Sequence, residues 1–331
     1  MTRPPARMVT PVDVAARLRA ETRALAITHE APDGDALGCV SAFLQMAERL
    51  GVDCRAYVPG TSTFPDEYLF LPKLDGVLRG NPPEVDPGTT VYMLDCASLM
   101  RSNGHQMAEG APRVNIDHHQ DNPAYGELNL LDPGAPSTTA ILYEVFKAGE
   151  FAVDVDVATA LYVGLVTDTG RFQYSNTTAS AHLMAAELQD IGLDVNAVYR
   201  EVYESTPLPK LMLLQKALCH LETRLGGALA LSWLGPSDFA DANAHEGHAE
   251  GIIDILRTIQ GVRVAALIKE RSSSEHADCK VSLRSTDGSV NVAAMANKRG
   301  GGGHVRAAGF SCDAGIASIM DWVENEVRAT L

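Results

Sequence analysis

Apolar and polar positions follow two rhythms along this chain. Four short apolar-rich runs sit between turn residues and predict strands: 24–28 (ALAIT), 54–58 (CRAYV), 90–94 (TVYML) and 113–116 (RVNI). Between the first two, Leu37, Val40, Leu44 and Ala47 recur at helical steps, predicting a helix with Asp35 as N-cap and Gly51 as its stop. Residues 137–148 and 157–167 continue the helical rhythm, and the second run enters TDTGRF, where Gly170 can end it. Strands alternating with helices predict an α/β domain on a mostly parallel sheet flanked by helices, assigned to 1–190. In such sheets ligands bind beyond the carboxyl ends of the strands.

The pattern then changes. Residues 180–222 are mainly helical, broken at Thr206-Pro207-Leu208-Pro209, and 191–224 are assigned to a helical linker. A smaller second domain, 225–331, restarts with strand-like 228–233 (ALALSW). Helical GIIDILRTI follows, then two strand-like runs, VRVAALI and DCKVSLRS. Helical NVAAMANK leads into RGGGGH and strand-like AAGFSC. The last helix places Ile316, Ile319, Met320, Val323 and Val327 on one face.

Composition narrows the class. A chain of 331 residues has room for about two domains, and 46% hydrophobic with 21% charged residues is ordinary for a globular protein. No apolar run approaches the ~18 residues that span a bilayer, and no signal-peptide pattern is seen, so a cytoplasmic protein without membrane partners is expected. The six cysteines form no CxxC pair and read as scattered thiols of a reducing compartment, not a disulfide framework. A net charge of −15 argues against gripping long duplex nucleic acid, but not against a small anion held beside bound cations.

The candidate chemistry lies largely at the strand ends. His29, Asp33, Asp35, Asp95, Asp117, His118, His119 and Asp168 follow or flank the predicted elements of the first domain. Carboxylate oxygens suit hard divalent ions, and imidazoles shift the preference toward Mn²⁺. Two such ions about 3.5–4 Å apart can clamp a phosphoryl group. In the second domain, Lys298, Arg299, His304 and Arg306 surround the glycine run, whose backbone N–H groups can converge on an anion. A flexible turn is the alternative reading of that run. Arg284 can add a bidentate phosphate contact.

HEAPDGDALG, VYMLDCAS, NIDHHQDN and GLVTDTGRFQ, in this order, resemble the four motifs of the DHH phosphoesterase superfamily. GGGGHVRAAGF resembles the signature of the associated DHHA1 domain, which implies a second α/β domain with a mixed sheet. The two-domain layout is most similar to the stand-alone oligoribonuclease and 3′,5′-bisphosphate nucleotidase branch. The resemblance implies two divalent ions, most readily Mn²⁺. His29 and Asp33 would hold one, Asp35, His118 and Asp168 the other, and Asp95 would bridge them. It gives Asp117 an orienting role and His119 a place near the scissile phosphate. Arg284, Gly301, Gly302, Gly303 and His304 would bind the substrate's far end, although Arg299 stands where relatives commonly have an apolar or aromatic residue.

The implied activity is hydrolysis of very short oligonucleotides or linear dinucleotides to mononucleotides, extending to 3′-phosphoadenosine 5′-phosphate. A cyclic-dinucleotide phosphodiesterase and a non-catalytic nucleotide sensor are the alternatives. A homodimer is compatible with the helical middle of the chain.

Overall fold

Asp33, rather than Asp35, starts the first long helix of the protein. This computed structural model describes residues 6–102, 111–272 and 277–331. Its contacts divide into two units, Met1–Ser205 and Thr206–Leu331.

The first unit runs β1 (Arg7–Met8), α1 (Pro11–Arg19), β2 (Arg23–Ile27), α2 (Gly34–Arg49), β3 (Asp53–Tyr57), β4 (Thr90–Leu94), β5 (Arg113–Asp117) and β6 (Leu128–Leu131). The helices α3 (Thr138–Ala148), α4 (Val155–Asp168), α5 (Ala179–Asp190) and α6 (Val195–Tyr199) follow. The sheet order is β1-β6-β5-β4-β2-β3, with every pairing parallel. The strand order reverses beside β2, which places a ligand crevice at the carboxyl ends of β2 and β4.

Both faces of this sheet are covered. Ala24, Ala26, Tyr92, Leu94, Val114 and Ile116 join the core that includes the helices, while Leu25, Ile27, Tyr57, Val91 and Met93 form a second cluster. That two-sided burial explains why these strands read as continuous apolar runs.

The helix α2 is buried along most of its length, and it meets α4 backbone to backbone. A Cβ added at Gly38 would lie 2.5 Å from the Ala160 carbonyl, and one at Gly164 would lie 2.6 Å from Asp35 Oδ1. A larger residue at Gly38 would force the helices apart, and one at Gly164 would displace the Thr139 side chain and the Asp35 carboxylate.

The second unit runs α7 (Leu208–Cys219), β7 (Glu222–Arg224), β8 (Leu229–Leu234), α8 (Pro236–Asp241), α9 (Ile252–Arg257), β9 (Val264–Ser272) and β10 (Ala277–Ser285). It ends with α10 (Val292–Asn297), β11 (Gly302–His304), β12 (Ala307–Cys312) and α11 (Ile316–Arg328). Its sheet, ordered β11-β12-β10-β9-β8-β7, is mixed: β8 and β9 pair parallel and the others antiparallel. One face packs Val281, Leu283 and Phe310 with Val292, Met295, Val323 and Val327. On the other face Ala230, Ala265 and Leu267 meet Leu213, Ile252 and Leu256.

The glycine run is part of this sheet, because Gly302–His304 form its edge strand against β12. A Cβ at Gly301 would sit 2.2 Å from the Gly309 carbonyl and 2.5 Å from Phe310 Cβ. Gly301→Ala is therefore expected to destabilise the second unit by about 1–3 kcal/mol, the usual size of an overpacking strain. Urea unfolding of the variant checks this, and an unchanged midpoint would count against the close approach. No helix among the described residues is long and apolar enough to cross a membrane.

Candidate metal centre

Asp33 lies at the start of α2, and its Oδ1 accepts from the N–H groups of Asp35 and Ala36 at 3.1 and 3.0 Å. This corrects the expectation that Asp35 caps the helix. The Asp35 carboxylate is drawn away by the start of α3. Its Oδ2 accepts from the Thr138 N–H at 2.6 Å, and its Oδ1 from the Thr139 N–H and hydroxyl at 2.9 and 2.8 Å. Those N–H groups are unsatisfied donors of a helix terminus, so an anion there is favoured.

His29 follows β2 and is almost fully buried. Its Nδ1 lies 2.8 Å from the Glu30 carbonyl, which can only accept, so Nδ1 carries a hydrogen and Nε2 is the ring nitrogen turned toward the acidic cluster. That Nε2 is 3.6 Å from Asp95 Oδ2. Asp95 follows β4 in the left-handed region at φ +52°, a conformation aspartate tolerates better than most residues. Its Oδ1 accepts from the Thr138 hydroxyl at 2.9 Å. His118, just after β5, places Nε2 3.8 Å from Asp95 Oδ1 and 3.6 Å from Asp168 Oδ2. Asp168 is the last residue of α4, so it comes from a helix end instead of a strand end.

Three overlapping groups result: His29, Asp33 and Asp95; Asp35, His118 and Asp168; and Asp95, His118 and His119. Within each, donor atoms lie within 4.8 Å of one another. Asp117 stands behind this set. Its Oδ1 accepts from His119 Nδ1 at 2.7 Å, and its Oδ2 from the Asn122 amide at 2.6 Å. The orienting contact of Asp117 therefore falls on His119, whereas His118 Nδ1 lies 3.4 Å from the Ala135 carbonyl.

The electrostatics fit a cation site. Burial, reinforced by repulsion from Asp95, Asp168 and Asp33, pushes Asp35 well above the usual carboxylate range. Burial also moves Asp168 up to about 7, against the attraction of His118. Burial pushes Asp95 up as well, but the His29 hydrogen bond and the charges of His119, His29 and His118 outweigh it and hold it near about 2. Burial lowers His119, yet the Asp117 hydrogen bond and charge win and raise it to about 9. Crowded carboxylates that resist ionisation together would be relieved by divalent cations, and oxygen and imidazole donors are the set such ions accept.

Four contributors escaped the sequence reading: Thr138, Thr139, Asn122 and Asn176. Asn176 donates to the Asp168 carbonyl at 3.1 Å and to its Oδ2 at 3.3 Å. Asn122 sits within the quoted NIDHHQDN stretch, where its nearness to Asp117 was the available signal. Asn122→Ala is expected to lower turnover about 10–100-fold, as for partners that orient metal-site side chains. Steady-state kinetics test this, with unchanged rates assigning Asn122 to packing alone.

In the second unit the register aligns Arg284, Ala307 and His304 in one cross-strand row, and Ser282, Gly309 and Gly302 in the next. Arg284 Nε donates to Asp254 Oδ1 at 3.1 Å. Lys298 pairs with Glu326 at 2.5 Å, and the Arg299 guanidinium lies 4.7 Å over the Trp322 ring. The side chain at position 299 is thus stacked on a partner of its own unit.

A parallel sheet that gathers carboxylates and imidazoles at its strand ends defines a metal-dependent phosphoryl-transfer protein. Comparison with known proteins agrees. The family models for the DHH family, N-terminal domain, and for the DHHA1 domain match residues 23–165 and 226–328. A bifunctional oligoribonuclease and PAP phosphatase of Thermus thermophilus is 32% identical over 307 residues, covering 91% of this chain and 89% of the relative. Its namesake in Bacillus subtilis is 27% identical over 300 residues, covering 89% of each. The crystal structure of an exopolyphosphatase-related protein from Bacteroides fragilis shares the fold, with a TM-score of 0.86 at 21% identity and 96% coverage of both chains. The chain belongs to the DHH phosphoesterase family and carries its DHHA1 domain.

Proposed function

We propose that this protein is a divalent-metal-dependent phosphodiesterase that hydrolyses very short oligonucleotides to mononucleotides and also dephosphorylates 3′-phosphoadenosine 5′-phosphate. The observation that carries the reading is the set of three overlapping donor groups, with Asp95 shared between two of them. The printed activities of the Thermus thermophilus and Bacillus subtilis relatives support it.

In this reading His29 and Asp33 would hold one ion, Asp35, His118 and Asp168 would hold a second, and Asp95 would serve both. Mn²⁺ suits a donor set made mainly of carboxylate oxygens. Bound there, the ions would supply Lewis-acid stabilisation of phosphoryl charge and a water acidified for attack. The chain's own groups do the rest. Asp35 is fixed by α3, so its carboxylate needs no reorganisation. His119 donates Nδ1–H to Asp117, which fixes the orientation of its ring. In this reading the imidazole stands beside the scissile phosphate, as a phosphate contact or as the proton donor to the leaving oxygen. Arg284 and His304 flank Ala307 in one row, and the next row ends in Gly309 and Gly302. This gives a floor of small residues between the Arg284 guanidinium and the His304 imidazole. We assign this surface, with Gly301 and Gly303 shaping its edge, to the terminal phosphate of the substrate. Residues 1–190, 191–224 and 225–331 serve as catalytic domain, linker and substrate domain, and the assignment is compatible with either a monomer or a homodimer.

A turnover panel with Mn²⁺ tests the reading. RNA of two, five and twenty-four nucleotides is compared with 3′-phosphoadenosine 5′-phosphate, cyclic di-AMP and pyrophosphate. Rates should fall steeply with RNA length. Arg284→Ala should raise KM for the dinucleotide about tenfold, the loss of a charge-assisted contact of roughly 1.4 kcal/mol, with little change in kcat. Equal cleavage of the longest RNA would overturn the short-substrate assignment.

A further inference from the structure

Arg284 stands opposite Ala265 of β9, and Ala265 belongs to the apolar face that α9 covers. Residues opposed across a sheet project on one face, so Arg284 reaches toward α9. There its Nε donates to Asp254 Oδ1 at 3.1 Å, and its Nη1 donates to the Leu283 carbonyl at 3.3 Å. Arg257, one turn along α9 from Asp254, brings its own Nε to 3.6 Å from the same Oδ1. That Nε is buried and makes no hydrogen bond. A buried donor without an acceptor is costly, so its presence calls for a reason. One carboxylate thus faces two guanidiniums and leaves one positive charge in excess, in a chain whose net charge is −15. Arg224 of the same unit shows the opposite balance, since Glu222, Asp321 and Glu324 surround it. The Arg284 and Arg257 side chains remain 24% and 27% exposed, so an anion in solvent can reach them.

We propose that Arg257 is a second guanidinium of the terminal-phosphate surface, and that with Arg284 it selects linear nucleotides ending in a phosphate monoester. This rests on the proposed function, which assigns Arg284 and the row it shares with His304 to the substrate's terminal phosphate. A phosphate monoester carries about −1.5 to −2 charges at neutral pH and three acceptor oxygens. An internal diester carries a single charge. The excess charge of the Arg257–Asp254–Arg284 group therefore favours the monoester. Planar guanidinium forks engage phosphate through paired N–H groups, and two forks can hold two oxygens of one phosphate. Asp254 anchors both arginines at one point. It engages Arg284 at Nε and leaves the Nη2 group of that residue for the phosphate. The phosphate in turn supplies an acceptor to Arg257, which the protein leaves short of one. A nucleotide that ends in a hydroxyl offers neither the charge nor the oxygens, so the pair discriminates against it.

The experiment titrates AMP and adenosine into the full-length chain by calorimetry, in chelator, so that the metal centre offers the phosphate no cation. The wild type should bind AMP more tightly than adenosine. Arg257→Gln should weaken AMP about tenfold, the loss of one charge-assisted contact, and leave adenosine unchanged. Arg257→Lys keeps the charge without the fork and should fall between them, and it decides the matter if the glutamine variant fails to fold. Lys216→Gln, which removes an exposed cation paired with Asp241, should change neither ligand. Equal affinity of the wild type for AMP and adenosine would overturn the proposal. So would an Arg257→Gln variant that binds AMP as the wild type does, or one that loses AMP and adenosine by the same factor. Turnover with Mn²⁺ separates this site from the reading it rests on. An unchanged KM of Arg257→Gln for a dinucleotide with a terminal phosphate would remove Arg257 from the site and leave the proposed function standing. AMP binding that depends on Arg257, in a protein that cleaves no RNA, would do the reverse.

Discussion

Asp95→Asn is expected to lower turnover of a dinucleotide by about a thousand-fold or more, and to lower the unfolding temperature of the metal-free protein at neutral pH. The loss follows from position. Asp95 lies within reach of His29, His118 and His119, and its donor atoms belong to two of the three overlapping groups. Removing one group that stabilises reaction charge in an enclosed site costs about 10²–10³-fold, and a shared ligand falls at or beyond the upper end. Asparagine keeps the shape and tolerates the left-handed backbone at φ +52°, so strain does not confuse the result.

The stability half follows from the Asp95 carboxyl, which despite its burial is depressed because His29, His119 and His118 favour its ionised form. It therefore stabilises the fold above the unfolded carboxylate range, and a neutral amide loses that contribution. Asp95 also pushes Asp33, Asp35 and Asp168 upward by repulsion, and relief of that conflict offsets part of the loss. The lost contacts with His29 and Thr138 add to it. Turnover assays and thermal unfolding in chelator measure both halves. A variant with near wild-type turnover would sink the shared-ligand assignment.

Stripping divalent ions should have the second-largest effect. Activity should vanish and return with Mn²⁺. The first unit should gain about 2.7 kcal/mol for one ion held at a hundred times its Kd. For a unit of this size that corresponds to about 5–10 °C in Tm. The second unit, whose sheet carries none of the three donor groups, should unfold at the same temperature with or without Mn²⁺. Differential scanning calorimetry separates these transitions, and titration calorimetry gives the number of ions. Equal shifts in both units would mean that Mn²⁺ acts through general surface binding. A single ion per chain would restrict the centre to one of its two assigned ligand sets.

Much of the architecture is visible in the chain because its strands are buried on both faces. Residues 90–94 form a strand with the bounds that the apolar run suggests, and the strands after 23 and 113 shift by at most a residue or so. The strand next to the edge of the sheet is harder to read. In β6 the LNLL pattern is interrupted by Asn129, which is fully buried and accepts a hydrogen bond from Asn115 at 3.2 Å. Only the neighbouring strand shows that this polar residue belongs inside. The exchange of roles between Asp33 and Asp35 has the same origin. Either carboxylate suits an N-cap locally, and the choice is made by Thr138 and Thr139, about a hundred positions away. Likewise, the pairing of Arg284 with Asp254 spans two elements, and no local pattern reports it.

The close passage of α2 against α4 gives the centre an unusual dependence on the rest of the chain. Asp35 and Asp168 sit on two helices whose separation is set at Gly38 and Gly164, and Asp35 is held by donors from a third helix. The quoted motifs are thus readings of a shared spacing and do not act as portable cassettes. Transplanting HEAPDGD and IDHH onto another parallel sheet would transfer the side chains without the helix contact that brings them together. A designer who wished to rebuild this centre would have to begin with two glycines that touch no substrate.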